Sequence, residues 1–233
     1  MRTIHRSALL LLASLLPACG AQLVEFPNPS AVSFGAAAGA FAVLAGSGVT
    51  NIGPTSVTGD LGVSPGSSVS GFPPGTVNGN QHVADSTAAQ AQADLTAAYN
   101  DAAGRTDGAV TVAGNIGGQT LTAGLYKSTS TLAISSGDLT LDARGDPNAV
   151  FIFQMASSLT TTSGRQVILS GGARAANVIW QVGSSATIGT TSVFKGTIMA
   201  QGSITLETGA TLDGRALART GAVTMDSNTI VRP

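Results

Sequence analysis

Ala186-Thr-Ile-Gly-Thr-Thr-Ser-Val-Phe-Lys-Gly-Thr-Ile-Met-Ala200 is followed, at an offset of 18, by Ile204-Thr-Leu-Glu-Thr-Gly-Ala-Thr-Leu-Asp-Gly-Arg-Ala-Leu-Ala218. Val223-Thr-Met-Asp-Ser227 repeats the opening after a further 19 residues, and Leu159-Thr-Thr-Thr-Ser163 lies 27 earlier, its extra length falling in the loop Ser170 to Asn177. Each copy holds three short runs separated by Gly, Ser, Asn or Asp, the punctuation of short strands. Self-similarity at this period signals a repeat architecture. Three strands in about 18 residues, each rising about 3.3 Å per residue, fit one coil of a triangular β-solenoid.

The three runs differ in chemistry. The third set, Val150 to Phe153, Val178 to Trp180, Thr197 to Ala200 and Ala216 to Ala218, is nearly continuous apolar sequence. Strands buried on both faces read this way. The first set alternates: Ala186 and Ile188, Ile204 and Leu206, Val223 and Met225 point inward, while Thr160, Thr187, Thr205 and Thr224 form an outward row. The next outward row, Thr162, Gly189, Glu207 and Asp226, is partly charged. The second set buries Val167, Phe194 and Leu212, and is expected to show Gly164 and Gln166, Thr191 and Val193, Gly209 and Thr211, Asn228 and Ile230 outside. None of those eight carries a charge.

One stretch alone has strong helical character, Ala84 to Ala103, with Asp85 or Ser86 as N-cap and Gly104 suited to a left-handed closing position. Ala88, Ala91, Leu95, Ala98, Tyr99 and Ala102 make one apolar stripe at helical spacing. A stripe this rich in alanine suits a helix packed lengthwise on the apolar third face.

The chain of 233 residues is 43% hydrophobic and 10% charged, with formal net charge −1, enough for a sizeable core in one domain. It has no basic surplus to neutralise phosphates, so nucleic acid is not an expected partner. One cysteine excludes a disulfide framework and a multi-cysteine metal site. The 27 Thr and 24 Ser stand beside two Lys, so the surface is made of hydroxyls and small residues rather than charges.

Arg2 and Arg6, the apolar run Ala8 to Leu16 and the small residues after it read as a signal peptide over residues 1–18. Leu16-Pro-Ala-Cys19 resembles a bacterial lipobox, which makes Cys19 the expected lipidation site; ordinary cleavage near Ala21 is the alternative. Residues 19–36, with Phe26-Pro-Asn-Pro-Ser30, are then expected as a tether, and 37–233 as the folded domain. The expected location is secreted or at the cell surface, with membrane contact only through Cys19.

Phe41-Ala-Val-Leu-Ala-Gly-Ser-Gly-Val-Thr-Asn-Ile-Gly53, Thr58-Gly-Asp-Leu-Gly62, Val178-Ile-Trp-Gln-Val-Gly-Ser-Ser-Ala-Thr187, Gly196-Thr-Ile-Met-Ala200 and Arg215-Ala-Leu-Ala-Arg-Thr-Gly-Ala-Val-Thr224 resemble the ice-binding proteins of bacteria, sea-ice algae and cold-adapted fungi. The resemblance covers about residues 35–233. It implies a right-handed, discontinuous β-solenoid whose N-terminal coil stacks out of sequence order, a long helix alongside, and an ice-binding surface on a flat face away from the helix. Some members carry Thr-Ala/Gly-x-Thr/Asn there. Thr208-Gly-Ala-Thr211 fits the pattern; Thr190-Thr-Ser-Val193 and Ser163-Gly-Arg-Gln166 fit in part, and Ser227-Asn-Thr-Ile230 fits less. The expected ice-contacting residues are therefore Thr191, Val193, Thr208, Gly209, Thr211, Gln166 and Asn228, with Thr160, Thr187, Thr205 and Thr224 as a competing or adjoining row. The expected partner is the ice surface, bound by a monomer without cofactor or metal. The alternative is a non-catalytic adhesion or polysaccharide-binding solenoid, which would favour exposed aromatic residues.

No catalytic constellation emerges. Gly62-Val-Ser-Pro-Gly66 spells a nucleophile elbow, but Pro65 blocks the helix that must follow it. His82 is the only histidine after the signal peptide, without cysteine or a second histidine beside it. Arg144-Gly-Asp146 before Pro147 reads as a turn, and Trp180 as core. Glu207 and Asp226, one coil apart, are a weak hydrolase pair. The expectation is a protein that is not an enzyme.

Overall fold

The computed structural model describes residues 27–233. The signal segment and Cys19 lie outside them. Each full coil turns through three strands, and all strand pairs are parallel, which builds three faces. Face A holds eight strands in the spatial order Ser68–Ser70, Gly48–Ile52, Val223–Asp226, Ile204–Leu206, Ala186–Ile188, Leu159–Thr161, Leu132–Ile134, Gly114–Asn115. Face B runs from Thr76–Asn78 through Ser56–Thr58, Thr229–Val231 and the first halves of Thr211–Ala218 and Val193–Ala200. The bridge between Gln166 and Val193 then joins Val167–Ser170, Leu139–Asp142 and Thr120–Thr122. Face C begins at Gln81–Val83, Asp60–Val63 and Phe41–Ala45, and takes the second halves of the two long strands. It ends on Val178–Val182, Phe151–Met155, Gly124–Ser128 and Val110–Thr111. The molecule is thus a β-solenoid with one helix alongside.

The coils are not stacked in chain order. Val43 pairs with Ala216, Thr50 with Thr224 and Ser56 with Thr229, so the first coil sits on the last. The coil of residues 60–78 lies beyond it, and α1 (Ser86–Gly104) then carries the chain back along face C. Eight strand spacings separate Gln81–Val83 from Val110–Thr111, about 38 Å at 4.8 Å each. The 19-residue helix covers about 28 Å of that, and the extended segment after it the rest.

Face C is apolar on both sides for a visible reason. Inward, Tyr126, Phe153 and Trp180 stack with centroid separations of 5.2 and 4.1 Å, Phe194 of face B meets Trp180 tilted at 5.0 Å, and the Trp180 indole N–H donates to Lys195 O at 2.9 Å. Outward, Leu44, Leu125, Ile152, Ile179, Met199 and Leu217 meet Ala91, Leu95, Ala98, Tyr99 and Ala102 of α1. The buried stripe of the helix is the set expected from its spacing. Asp85 caps it, accepting from Ala88 N at 2.8 Å.

The C-terminus of α1 departs from expectation. Gly104 is the last helical residue, and extended Arg105 follows it in place of a left-handed cap. Gln154 supplies what that cap would have given. Its Nε2 reaches up from face C and donates to Ala102 O (2.6 Å) and Arg105 O (2.8 Å), so the last carbonyls are satisfied by the sheet.

Residues 27–36, read as part of a tether, lie against the body as a strap. Asn28 Oδ1 accepts from Val150 N at 2.9 Å, Arg105 donates to the carbonyls of Ser30 and Ala31, and Val32 is buried. Asp94 then receives Ala37 N at 3.0 Å, and the Arg215 guanidinium lies over Phe34. A proline-spaced segment makes few hydrogen bonds of its own, so these side chains hold it.

Candidate functional site

The corner between faces A and B decides which side chains reach solvent on face B. Its second position is left-handed in four successive coils: Gly164 (φ +71°), Thr191 (+56°), Gly209 (+70°) and Ser227 (+56°). That conformation explains why small residues recur there. The third position turns inward in three of these coils, where Ser192, Ala210 and Asn228 are at most 1% exposed, whereas Arg165 stays part-exposed at 3.5 Å from Asp138. The fourth position faces out and is locked in register. Gln166 pairs with Val193, Val193 with Thr211, Thr211 with Thr229, Thr229 with Ser56, and Ser56 with Thr76.

This register corrects the reading of the last coil. Asn228 and Ile230, expected outside, are buried, and Ser227 and Thr229 take the outward places. Leu206 pairs with Met225, an offset of 19, but Thr211 pairs with Thr229, an offset of 18, so this corner is one residue shorter. A one-residue slip exchanges the two sides of a strand. Asn228 fills the gap from within. Its Nδ2 donates to Glu207 O (2.8 Å) and Ala210 O (3.0 Å), and its Oδ1 accepts from Asp226 N (2.7 Å).

Face B therefore presents an uncharged row over six coils with an uncharged corner row beside it. The corner row holds Gly164, Thr191, Gly209, Ser227 and Gly53, with exposed Pro54 next to it; the other is Gln166, Val193, Thr211, Thr229, Ser56 and Thr76. Thr208 stands just before the corner and donates to Asp226 Oδ2 at 2.5 Å, while Thr191 Oγ1 donates to Thr190 O at 2.7 Å. A third row runs Lys195, Asp213, Val231, Thr58 and Asn78 in register, with exposed Ile168 at its end, two residues past the Gln166–Val193 bridge. Thr229 escapes a reading in chain order through the shortened corner, and Ser56 and Thr76 escape it because the first two coils enter the stack after the last. The signal for them was the alternation Ser56-Val-Thr58 and Thr76-Val-Asn78.

On face A, Thr160, Thr187, Thr205 and Thr224 pair in sequence as expected, and Thr50 and Ser70 extend the row. Its neighbours are less uniform. Ser185 and Ser203 turn their hydroxyls to backbone amides of the next coil, each at 3.2 Å. The far side carries Glu207, Asp226 and Ile52.

Residues set aside in the sequence take structural places. His82 Nδ1 lies 2.8 Å from Asp85 Oδ2 at the start of α1, and Gly62 and Val63 end a face-C strand. Arg144 and Gly145 form a left-handed turn. Trp180, Tyr126 and Tyr99 are all buried, so no tyrosine or tryptophan offers a sugar-stacking platform. Among the described residues, no three His, Cys, Asp or Glu side chains are grouped to hold a metal. Burial and the neighbouring Arg232 lower Arg215 to about 10, but it lies beneath the strap on face C.

A family model described as ice-binding-like matches residues 43–231. An ice-binding protein of Nostoc sp. (strain HG1) is 49% identical over 191 residues, 82% of this chain and 70% of that one. One from Flavobacterium frigoris (strain PS1) is 40% identical over 216 residues, 87% of this chain and 76% of that one. Among solved structures, the crystal structure of an ice-binding protein from an Antarctic biological consortium superposes with a TM-score of 0.88 at 58% identity, covering 94% of this chain and 96% of that one. That of an ice-binding protein from Antarctomyces psychrotrophicus gives 0.83 at 41% identity, covering 88% and 99%.

Proposed function

The chain belongs to the ice-binding-like family, and from that premise we propose that it adsorbs to ice through face B and so limits ice growth or recrystallisation. The observation that carries this reading is the uncharged row from Gln166 to Thr76, locked in register over six coils, with the small-residue corner row beside it. Strands about 4.8 Å apart, with alternate residues about 6.5–7 Å apart along each strand, hold side chains on a grid close to ice-lattice repeats. Threonine suits that grid because its hydroxyl bonds a water, its methyl restricts that water, and its β-branch fixes χ1. Each contact is weak, and many made at once on a rigid plane hold the protein on the crystal. The growing front must then curve between bound molecules. Removing residues 1–18 would leave a net charge of −3, and we propose an extracytoplasmic site of action on the strength of that signal segment.

A second reading places the contact on face A, favoured by its five consecutive threonines Thr160, Thr187, Thr205, Thr224 and Thr50. The flanking carboxylates and the inward-turned serines leave that row narrow. Paired variants separate the faces. Thr211→Tyr with Thr229→Tyr is expected to remove most thermal hysteresis and incorporation into ice from a protein with unchanged circular dichroism. Thr205→Tyr with Thr224→Tyr is expected to leave both. The reverse pattern would move the site to face A.

A further inference from the structure

Face B does not end at its double row. The third row, with Ile168 at its end two residues past the Gln166–Val193 bridge, continues through Val231, Thr58 and Asn78 and is uncharged except at one place, where Lys195 and Asp213 pair in register and their charges meet at 3.2 Å. Ile168 and Val231 are each 41% exposed, among the few large apolar side chains of the described chain left in water, and they flank this pair on either side. They are rigid, β-branched, methyl-bearing residues on the same grid as Thr211 and Thr229. We infer that the third row is a further line of ice contact interrupted by the Lys195–Asp213 ion pair, and that this pair sets the breadth of the binding plane. The inference rests on face B being the ice face.

The physical case lies in hydration. An ammonium and a carboxylate each organise water around a point charge, in a geometry set by the ion rather than by a lattice. The Lys195 side chain also moves on four rotatable bonds where its neighbours are held. Pairing weakens both fields without abolishing them, since the side chains remain 28% and 40% exposed. An exposed pair of this kind contributes little to folding, so its replacement alters the surface more than the fold. Its two members act in opposition. One charge left without its partner perturbs nearby water more than the pair does, whereas removing both leaves Thr or an aliphatic residue along the whole row up to Asn78.

This gives a pattern that loss of folding would not produce. Lys195→Thr with Asp213→Thr is expected to raise thermal hysteresis about 1.5-fold, as two contact rows become three on the same grid. Lys195→Thr alone and Asp213→Thr alone are each expected to fall below the parent. The exchange Lys195→Asp with Asp213→Lys, which keeps a pair, is expected to match the parent. Melting curves for all four verify that the fold is kept. A folded double variant with hysteresis equal to or below the parent overturns the inference, as do single variants indistinguishable from the parent. Thr211→Tyr is placed in the parent and in the double variant as a reference. If it abolishes hysteresis in the parent while neutralising the pair yields no gain, only the role of the pair fails. If it leaves hysteresis intact in both, the assignment of face B fails, and the pair's role with it.

Discussion

Thr191 occupies a backbone conformation that a β-branched residue rarely adopts, at φ +56°, where the coils on either side have Gly164 and Gly209. A left-handed conformation costs an L-residue about 1–2 kcal/mol, and a β-branched one is the least tolerant. The hydroxyl recovers part of that by donating to Thr190 O. Thr191→Gly is expected to stabilise the fold by up to about 1 kcal/mol, the relief being reduced by glycine's greater freedom in the unfolded chain. Thermal melting reads the change. If Thr191 also contacts ice, the more stable variant will lose hysteresis. Thr208-Gly-Ala-Thr211 could be recognised from residue type alone, but Asn228 could not be placed. Asparagine on a loop is ordinarily exposed, and only its three hydrogen bonds to a shortened corner draw it inside.

At the scale of the element, the helix and its strap depend on carboxylates at defined places. Asp85 is held below the ordinary aspartate value of 3.8 chiefly by the Ala88 amide it caps and by its hydrogen bond to His82. Asp94 is lowered mainly by Gln90, then by the Ala38 and Ala37 amides that follow the strap. A carboxyl group that is more acidic folded than unfolded contributes stability above its unfolded value. That contribution disappears as pH falls through the lower folded value. The melting temperature is therefore expected to drop as pH is taken below 3.8, through loosening of α1 and the strap, and salt is expected to change the drop little where direct hydrogen bonds cause it. Asp85→Ala should melt lower than the parent at neutral pH and show a shallower acid dependence. A variant with the full acid dependence of the parent would place the effect elsewhere. The stripe from Ala88 to Ala102 was legible because a helix repeats its burial every 3.6 residues. The helix ending was not, because the group that satisfies its last carbonyls is Gln154, 52 residues beyond Ala102 in sequence.

At the scale of the molecule, the order of coils changes what a truncation does. In a solenoid stacked in chain order, loss of the terminal coil leaves the remaining ones paired much as before. Here Val223–Asp226 and Thr229–Val231 lie between the coil of residues 204–213 and the first coil, so these strands are interior to the stack. Deleting residues 222–233 is expected to abolish the cooperative melt altogether, rather than lower its midpoint by a few degrees. A shortened chain that still melts as one sharp transition would show that the N-terminal coils do not depend on this contact.

The sequence by itself determined the three-strand coil, the inward and outward sides of most strands, the buried stripe of the helix and the small, uncharged residues at the corner of face B. Each of these is a short-range periodicity, and the chain writes it locally. Tertiary structure alone decided that Thr50 extends the row of Thr224, that Ser56 and Thr76 continue the row of Thr211, and that residues 27–36 bind the body. These depend on which coil lies against which, a matter of closing apolar edges in space that no period along the chain records.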